Sequence, residues 1–457
     1  MSLPQREVTE LRDAIARHYW EHDHQWDPLT SLPIGETPQI ITHGQGARLH
    51  TAEGHELVDL VGGMECVNVG YGRKELAEAA SRQMIELGYW SALIGASVPA
   101  VKLSKLLADL APGDLNHVFL TSDGSDAVET AIKIARQAQI QRGFPYRGKI
   151  ISRQYCYHGA TAGAMSIEGP QAPITGGKFV DLFKTPGTRQ AYQVDCSFCT
   201  LDQTYPDCRL LCAENIRHII EYEGAETVAA VLVDPIAISP RAFVPPDDYL
   251  PRIREICDHY GVYLICDEVV NGFGRTGKMF AVEHWDVQPD ILCVSKGIAS
   301  GYMPLAATLA TEEVYSHFNG EPSRLFHHGH TYGAHPVASA VAIANIEIIR
   351  RESLVEKAAA KGDLFLAGLR KLAKYPIVLD VQGKGLLLGI RLVGDKQSKT
   401  AVDPAVSTRI AQLMYQKGFW TMISFICPPL VISEEEIESA VNAFDESIAQ
   451  ACKEYDL

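Results

Sequence analysis

The sequence lacks any long run of apolar residues. Its longest runs, such as VAAVLV at 228–233, are far shorter than the roughly 20 residues that a helix needs to span a bilayer. The opening stretch, MSLPQREVTELRDAIARHYW, is charged and has no continuous apolar core, so we expect no signal peptide there. We therefore predict a cytoplasmic protein that does not contact a membrane.

Basic residues are also scarce relative to acidic ones. The chain has 41 Lys and Arg against 56 Asp and Glu, which gives a net charge of −15. Such a charge repels phosphate backbones, so a nucleic-acid partner is excluded. Fixed-period repeats and low-complexity segments are missing as well. With 457 residues, 46% of them apolar, the chain is long enough for two or three domains around a large core.

Cysteine is sparse over most of the chain and concentrated in one segment, 194–215. Four of the eleven cysteines fall within seventeen positions of VDCSFCTLDQTYPDCRLLCAEN, namely Cys196, Cys199, Cys208 and Cys212. In a reducing cytosol, metal ligation competes well with disulfide formation. The C-x2-C-x8-C-x3-C spacing supplies enough thiolates to bind zinc or an iron–sulfur cluster. Such a metal centre would hold a loop-like insertion in place. Four reduced thiols packed against apolar neighbours are the alternative.

Short apolar runs and helical patterns alternate from about residue 100 to 335. HVFLTS reads as a buried strand, and the following DGSDAVETAIKIARQAQ has apolar residues at helical spacing. This alternation predicts a doubly wound α/β domain, a mostly parallel sheet covered by helices. We assign 71–335 to this large domain, and we expect 1–70 and 336–457 to form a smaller α/β domain.

Three candidate functional positions follow predicted strands, where ligands of parallel sheets bind. Gly124 and Ser125 begin a helix whose free N–H groups suit a phosphate, although an ordinary helix start is the simpler reading. Asp267 ends a strand and could hold a protonated ring nitrogen, but Asp is also common in turns. Lys296 ends another buried strand, where desolvation would prepare an amine nucleophile, unless it only extends from a core edge.

Together with the aromatic residue of YHG, these positions are what pyridoxal phosphate requires. The chain resembles the class III, or omega, aminotransferases of fold type I over nearly its whole length. The matching segments, in order, are GYGRKELAEA, DGSDAVETAIKIARQ, YHGAT, DEVVNGFGRTGKMFAVEHWDVQPDILCVSKGIASGYMPLAA, HTYGAHPVASA and PPLVISEEEI.

The resemblance implies roles for individual residues. Lys296 would bind the cofactor covalently and shuttle the substrate proton, while Asp267 would keep the pyridine nitrogen protonated. The other implied cofactor-binding residues are Gly124 and Ser125 at the phosphate, Tyr157 and Val269 on the two ring faces, His158 beside the ring or as a support, and Thr331 reaching the phosphate from a second subunit. A homodimer, or a dimer of dimers, is therefore expected.

The substrate pocket departs from the family pattern. Phe425 stands where members that bind an α-carboxylate commonly have arginine, and Glu65 stands where omega-amine members often have tryptophan. An acid lining the pocket would favour a cationic or hydroxyl-bearing substrate, unless Glu65 merely pairs with a base. Tyr89 and Trp90 lie where the family shapes its pocket, although they could equally be dimer core. Asp234 replaces the usual Glu before proline, which shortens any ion pair to a gating arginine.

The implied reaction moves an amino group from an omega-amine or amino acid to a keto acid such as pyruvate or 2-oxoglutarate. It would run in two half-reactions through the pyridoxamine form of the cofactor. A racemase, aminomutase or decarboxylase on the same scaffold is the near alternative. A metal-binding protein with a vestigial aminotransferase core is the alternative from another class.

Overall fold

Strands and helices alternate along most of the chain in the computed structural model, which describes residues 2–20, 22, 40–169, 186–239 and 241–457. Within these ranges the strands are β1 Ile41–Gln45, β2 Arg48–Thr51, β3 Glu56–Asp59, β4 His117–Thr121, β5 Lys149–Arg153, β6 Thr188–Ala191, β7 Val228–Val233, β8 Tyr263–Asp267, β9 Ile291–Val294, β10 Ala306–Ala310, β11 Val378–Lys384, β12 Leu387–Leu392 and β13 Phe419–Trp420. The helices of the same ranges are α1 Gln5–His18, α2 Gly62–Glu65, α3 Lys74–Leu87, α4 Val98–Leu110, α5 Gly124–Gln141, α6 Ala162–Ser166, α7 Leu211–Glu223, α8 Tyr249–Tyr260, α9 Glu312–Ser316, α10 Pro336–Arg351, α11 Leu354–Arg370, α12 Pro404–Gln416 and α13 Glu434–Glu454.

The larger of two compact units, Lys74–Ala359, is built on a seven-stranded sheet. Its strand order is β4-β10-β9-β8-β7-β5-β6. Only β10 runs antiparallel to its neighbours, β4 and β9, and the other pairs of this sheet are parallel. The mostly parallel sheet predicted from the alternating pattern is therefore confirmed.

The core of this unit lies around the central strands. Every residue of β7 and β8 is buried, as expected for parallel strands covered on both faces. Helix α5 turns small residues toward them, and Ala127, Ala131 and Ala135 are fully buried. Because alanine side chains are short, α5 packs closely on the sheet, and its first residue lies at the carboxyl edge of β4.

The second unit combines Met1–Arg73 with Ala360–Leu457. It contains a four-stranded sheet, β1-β2-β3-β13, and the β11–β12 hairpin. The predicted final helix is α13, and it begins with a capping box: Glu436 N–H donates to the Ser433 hydroxyl at 3.1 Å, and Ser433 N–H donates to the Glu436 carboxylate at 2.9 Å. The domain limits predicted at 70/71 and 335/336 stay predictions.

Helix length and polarity also bear on membrane contact. In the part of the chain that the structure describes, no helix combines the length and the apolar character needed to cross a bilayer.

Candidate active site

The candidate site lies at one edge of the seven-stranded sheet. Strands β4, β5, β7, β8 and β9 all point their carboxyl ends to this edge, because β10 is antiparallel to both β4 and β9. Residues that follow these strands are therefore brought together although they are far apart in sequence.

Gly124 and Ser125 form the first turn of α5, directly after β4. Asp123 caps this turn by accepting a hydrogen bond from Asp126 N–H at 3.1 Å. A Cβ atom at Gly124 would lie 2.9 Å from a methyl group of Val269, so only glycine fits this close approach. The hydroxyl of Ser125 accepts from Ala160 N–H at 3.1 Å. Two of the predicted phosphate-binding residues thus contact the segments that carry Val269 and Tyr157.

Two carboxylates hold the loop that follows β5. Glu168 is fully buried and accepts from the N–H groups of His158 at 2.8 Å and Gly159 at 3.1 Å. Glu129, on α5, accepts from the Thr161 hydroxyl and from Gly163 N–H, both at 2.8 Å. Because backbone N–H groups of the loop donate to these two carboxylates, the loop that carries Tyr157 and His158 has a defined conformation.

Asp267 and His158 form a buried pair. His158 Nδ1 lies 2.7 Å from Asp267 Oδ2, and Val269 N–H donates to the other carboxylate oxygen at 3.0 Å. Burial alone would lower the pKa of His158, but the neighbouring Cys156 and Asp267 raise it well above its ordinary value. A protonated imidazole therefore faces the carboxylate, and of the two readings of His158 this contact favours a support for Asp267.

Lys296 begins a short turn, Lys296–Ile298, after β9. Its φ of +43° lies in the left-handed region that side-chain-bearing residues rarely adopt. Asn345, buried in α10, donates its side-chain amide to the carbonyls of Gly297 at 2.8 Å and Ile298 at 3.0 Å. The amide stabilises the turn, and with it the position of Lys296.

A second buried pair joins β5 and β7 at the same edge. The guanidinium of Arg153 donates to the carboxylate and to the backbone carbonyl of Asp234, and the two side chains are 1% and 5% exposed. Burial would lower the pKa of Arg153, but Asp234 raises it above its ordinary value. Asp234 thus pairs with a residue of the same unit.

The predicted pocket residues Tyr89 and Trp90 are partly exposed, at 44% and 40%. The Tyr89 hydroxyl donates to the carbonyl of Thr331 at 2.8 Å. This bond connects a residue of the predicted pocket with the residue predicted to reach the phosphate bound by a second subunit. Trp90 lines a cavity of about 430 Å³ together with Leu93 and His330.

Glu65 and Phe425 belong to the smaller unit, and both are buried, at 3% and 4% exposure. Glu65 has a φ of +58°, which is uncommon outside glycine. Their roles in a substrate pocket stay predictions.

The four cysteines of 194–215 line one small cavity. Cys212 lies in the first turn of α7, so the segment predicted as a loop ends in a helix. Among the described residues, no group of three or more His, Cys, Asp or Glu side chains is arranged to hold a metal ion. The structure therefore gives no support to a zinc ion or an iron–sulfur cluster at these cysteines.

Sequence reasoning missed several supporting residues, namely Glu129, Arg153, Glu168 and Asn345. Each contacts residues at least nine positions away, so local spacing carried no signal for their partners. The signal that could have found them is a polar residue in apolar surroundings, such as Arg153 in KIISRQ and Asn345 in VAIANIEII, because buried polar side chains need partners.

Comparison with known proteins identifies this arrangement. A sequence model of the family described as aminotransferase class-III matches residues 32–448. The chain is 37% identical over 450 residues to a taurine–pyruvate aminotransferase of Bilophila wadsworthia, covering 94% of this chain and 96% of that protein.

Solved structures give the same result. An (S)-enantioselective omega-transaminase of Thermomicrobium roseum is 34% identical with a TM-score of 0.90, over 99% of both chains. A pyridoxal-phosphate-bound amine transaminase of an uncultivated Pseudomonas species is 34% identical with a TM-score of 0.86, over 91% of this chain and 96% of that one. The chain belongs to the class III aminotransferase family, and it is a pyridoxal-phosphate-dependent transaminase of fold type I.

Proposed function

We propose that the enzyme moves an amino group from an omega-amine donor to a keto acid, with Lys296 and Asp267 as its central residues. The observation that carries this proposal is the buried contact between His158 and Asp267, 2.7 Å long, at the edge where Lys296 follows its strand. A carboxylate stabilised by a protonated imidazole suits a partner that carries a proton on a ring nitrogen.

The residues at the sheet edge fit pyridoxal phosphate. Gly124 packs so closely on Val269 that a Cβ would lie 2.9 Å from its methyl group, and this packing places the free N–H groups of the helix start beside Val269. When bound, the cofactor supplies an electron-withdrawing ring that stabilises negative charge at the substrate carbon. Lys296 would hold it, Gly124 and Ser125 would bind its phosphate, and Thr331 would do so from a second subunit.

The remaining roles belong to side chains of the same edge. Asp267 would hold the proton at the ring nitrogen, with His158 fixing the carboxylate. Tyr157 and Val269 would pack on the two faces of the ring and exclude water from it. The Nζ atom of Lys296 would take and return the proton of the substrate carbon that bears the amine.

The donor class is proposed from the departures at Phe425 and Glu65. Phenylalanine offers no charge for an α-carboxylate, so an omega-amine is the better donor. The relative named for taurine and pyruvate supports an omega-amine donor and pyruvate as the acceptor. Glu65 would favour a donor with a cationic or hydroxyl-bearing tail.

A donor panel tests this proposal. The purified enzyme is mixed with taurine, a diamine or an α-amino acid, and the absorbance of the bound cofactor is followed before and after addition of pyruvate or 2-oxoglutarate. We expect omega-amines to change the absorbance and pyruvate to restore it, and Lys296→Ala to give no response. Transamination is the wrong reaction if no donor changes the spectrum. A Glu65→Trp variant with an unchanged donor ranking would remove Glu65 from the pocket.

We also propose a homodimer. Apolar side chains next to the Trp90 cavity are strongly exposed, including Leu93 at 69%, Ile94 at 75% and Tyr332 at 65%. Patches of this kind mark interaction sites. We expect Ile94→Glu to shift the mass in solution from dimer to monomer and Tyr222→Glu, at a 90% exposed position elsewhere in the unit, to leave it unchanged. A monomeric wild-type protein would contradict the proposal.

A cytoplasmic location is proposed from the cysteines. All eleven are thiols rather than disulfides in the structure, which suits a reducing compartment. Fractionation of cells that produce the protein would test it, and recovery outside the cytosol would contradict it.

A further inference from the structure

The Tyr89 side chain contacts a turn, residues 331–334, that lies far from it in sequence. Its hydroxyl donates to the backbone carbonyl of Thr331 at 2.8 Å, across 242 positions of the chain. Phenylalanine would fill the same space but has no hydroxyl, so only tyrosine can make this bond. A residue predicted to shape the substrate pocket therefore also holds the backbone of a residue proposed to bind phosphate.

Two aromatic residues next to Thr331 fix the direction of the Tyr89 ring. The rings of Tyr89 and Tyr332 meet edge to face, with centroids 6.3 Å apart and planes at 65°. The centroid of the His335 ring lies 5.9 Å from that of Tyr89. Aromatic pairs favour tilted and edge-to-face arrangements of this kind. Removal of the hydroxyl alone should therefore leave the ring in place.

The turn that contains Thr331 is also fixed at its other end. Gly333 N–H donates to the carbonyl of His330 at 3.1 Å. His335 then caps α10 by accepting a hydrogen bond from Val337 N–H at 3.2 Å. These bonds act on the part of the turn that adjoins the helix, whereas the tyrosine hydroxyl acts on its first residue, Thr331.

Helices α3 and α10 place Tyr89 and the turn beside each other. Tyr89 follows the end of α3, and α10 begins directly after the turn. Leu87 of α3 and Ala340 of α10 line one cavity, and at the opposite ends of the two helices Arg351 donates to Glu75 at 2.8 and 2.9 Å. The two helices are thus antiparallel neighbours in one compact unit, and both partners of the hydrogen bond lie next to them.

We propose that the Tyr89 hydroxyl is a positioning group for Thr331 in cofactor binding. This inference rests on the proposed role of Thr331 at the phosphate bound by a second subunit. Thr331 is exposed in the single chain, as a residue that reaches another subunit must be. By holding the Thr331 carbonyl, Tyr89 orients the residue whose side chain would contact the phosphate. Tyr89 therefore acts on the affinity for the phosphate group and not on the pyridine ring.

Binding of pyridoxal phosphate and of pyridoxal, which lacks the phosphate, tests the proposal. The full-length enzyme, freed of cofactor, is titrated with each compound, and binding is followed by absorbance. We expect Tyr89→Phe to weaken pyridoxal phosphate about two- to tenfold, as for loss of one neutral hydrogen bond, and to leave pyridoxal unchanged. Thr331→Val should show the same selectivity. Tyr222→Phe, at a 90% exposed position of the same unit, should change neither affinity.

A double variant shows whether the hydroxyl acts through Thr331. In the Thr331→Val background, Tyr89→Phe should cause no further loss of affinity, since the side chain that it positions no longer binds phosphate. Circular dichroism and the mass in solution show that each variant is folded and dimeric. Additive losses in the double variant would overturn the inference, as would equal weakening of pyridoxal and pyridoxal phosphate by Tyr89→Phe.

Failure of the inference and failure of the proposed function give different results. If Thr331→Val weakens pyridoxal phosphate and Tyr89→Phe does not, only the positioning role of Tyr89 is wrong. If Thr331→Val has no effect, the phosphate role of Thr331 is wrong, and the inference fails with it. Transamination is measured separately by the donor panel, so neither result decides it.

Discussion

His158 Nδ1 and Asp267 Oδ2 lie 2.7 Å apart, and the two side chains are 0% and 7% exposed. Cys156 and Asp267 raise the pKa of His158 well above its ordinary value, against the effect of burial, and this shift favours the protonated imidazole. A charge-assisted hydrogen bond of this kind contributes roughly 1.5–3 kcal/mol. The pair therefore fixes the orientation of Asp267.

Replacing His158 should weaken the function of Asp267. We expect His158→Gln, which offers only a neutral amide, to lower kcat about ten- to hundredfold, as loss of such a bond predicts. The pH dependence of the bound-cofactor absorbance should shift in the same variant. His259→Gln, at an exposed position, is the control. An unchanged pH profile would mean that His158 has only a packing role.

Asn345 should stabilise the turn that carries Lys296. Asn345→Leu leaves the carbonyls of Gly297 and Ile298 without their donors, at a cost of about 1–3 kcal/mol. We expect a lower free energy of unfolding and faster hydrogen exchange at Ile298 and Ala299, measured on the enzyme without substrate. Ser339→Ala, a buried change on the same helix, should leave that exchange unchanged. Equal exchange in both variants would contradict this role.

The Arg153–Asp234 pair should be sensitive to the loss of either partner. Because each charge is buried, Arg153→Met or Asp234→Leu alone should destabilise the protein by about 3–5 kcal/mol, measured by denaturant unfolding. The double variant should recover part of this loss, since no unpaired charge remains. The exposed pair of Glu75 and Arg351 is the control, and its removal should change little. Additive losses in the double variant would show that the pair is not coupled.

His328 gives the enzyme a predictable response to acid. Burial, with help from Lys133 and His330, lowers the pKa of His328 to about 4, while the unfolded chain titrates near 6.5. Between these values the unfolded state binds more protons, so stability is lost as the pH falls from about 6.5 to 4. We expect His328→Gln to show a shallower loss over this range than wild type, and His55→Gln, at an exposed position, to behave like wild type. An NMR titration of His328 near 6.5 would contradict the prediction.

The sequence was most informative where function and periodicity coincide. Strands β4, β7, β8 and β9 are mostly apolar runs. Gly124 and Lys296 lie shortly after β4 and β9, and Asp267 ends β8, so one pattern predicted both the sheet and the candidate positions at its edge. Strand β6, with the letters TRQA, has no apolar pattern, and it was not predicted because its pairing with β5 comes from tertiary contact.

The contact partners of buried side chains were much harder to predict than the strands and helices on which those side chains lie. The spacing of Asp234 gave no indication that its partner is Arg153, 81 residues earlier, and nothing in the sequence linked Asn345 with the Lys296 turn. The cysteines were noticed from their density alone. Their convergence on one cavity depends on the turn at Asp195 and on the start of α7, which spacing does not encode.

The reversed direction of β10 has a consequence for the segment that carries Lys296. If β10 ran parallel to β9, the chain would need a long crossover to the opposite edge of the sheet. Because β10 is antiparallel, the chain turns back at the edge that β9 has just reached. Lys296 therefore lies in a segment, 295–305, whose two ends lie at the same edge of the sheet. The hydrogen bond from the Ser295 hydroxyl to the Leu305 carbonyl joins these ends. The backbone that carries the proposed cofactor-binding lysine is therefore held at both ends of its segment.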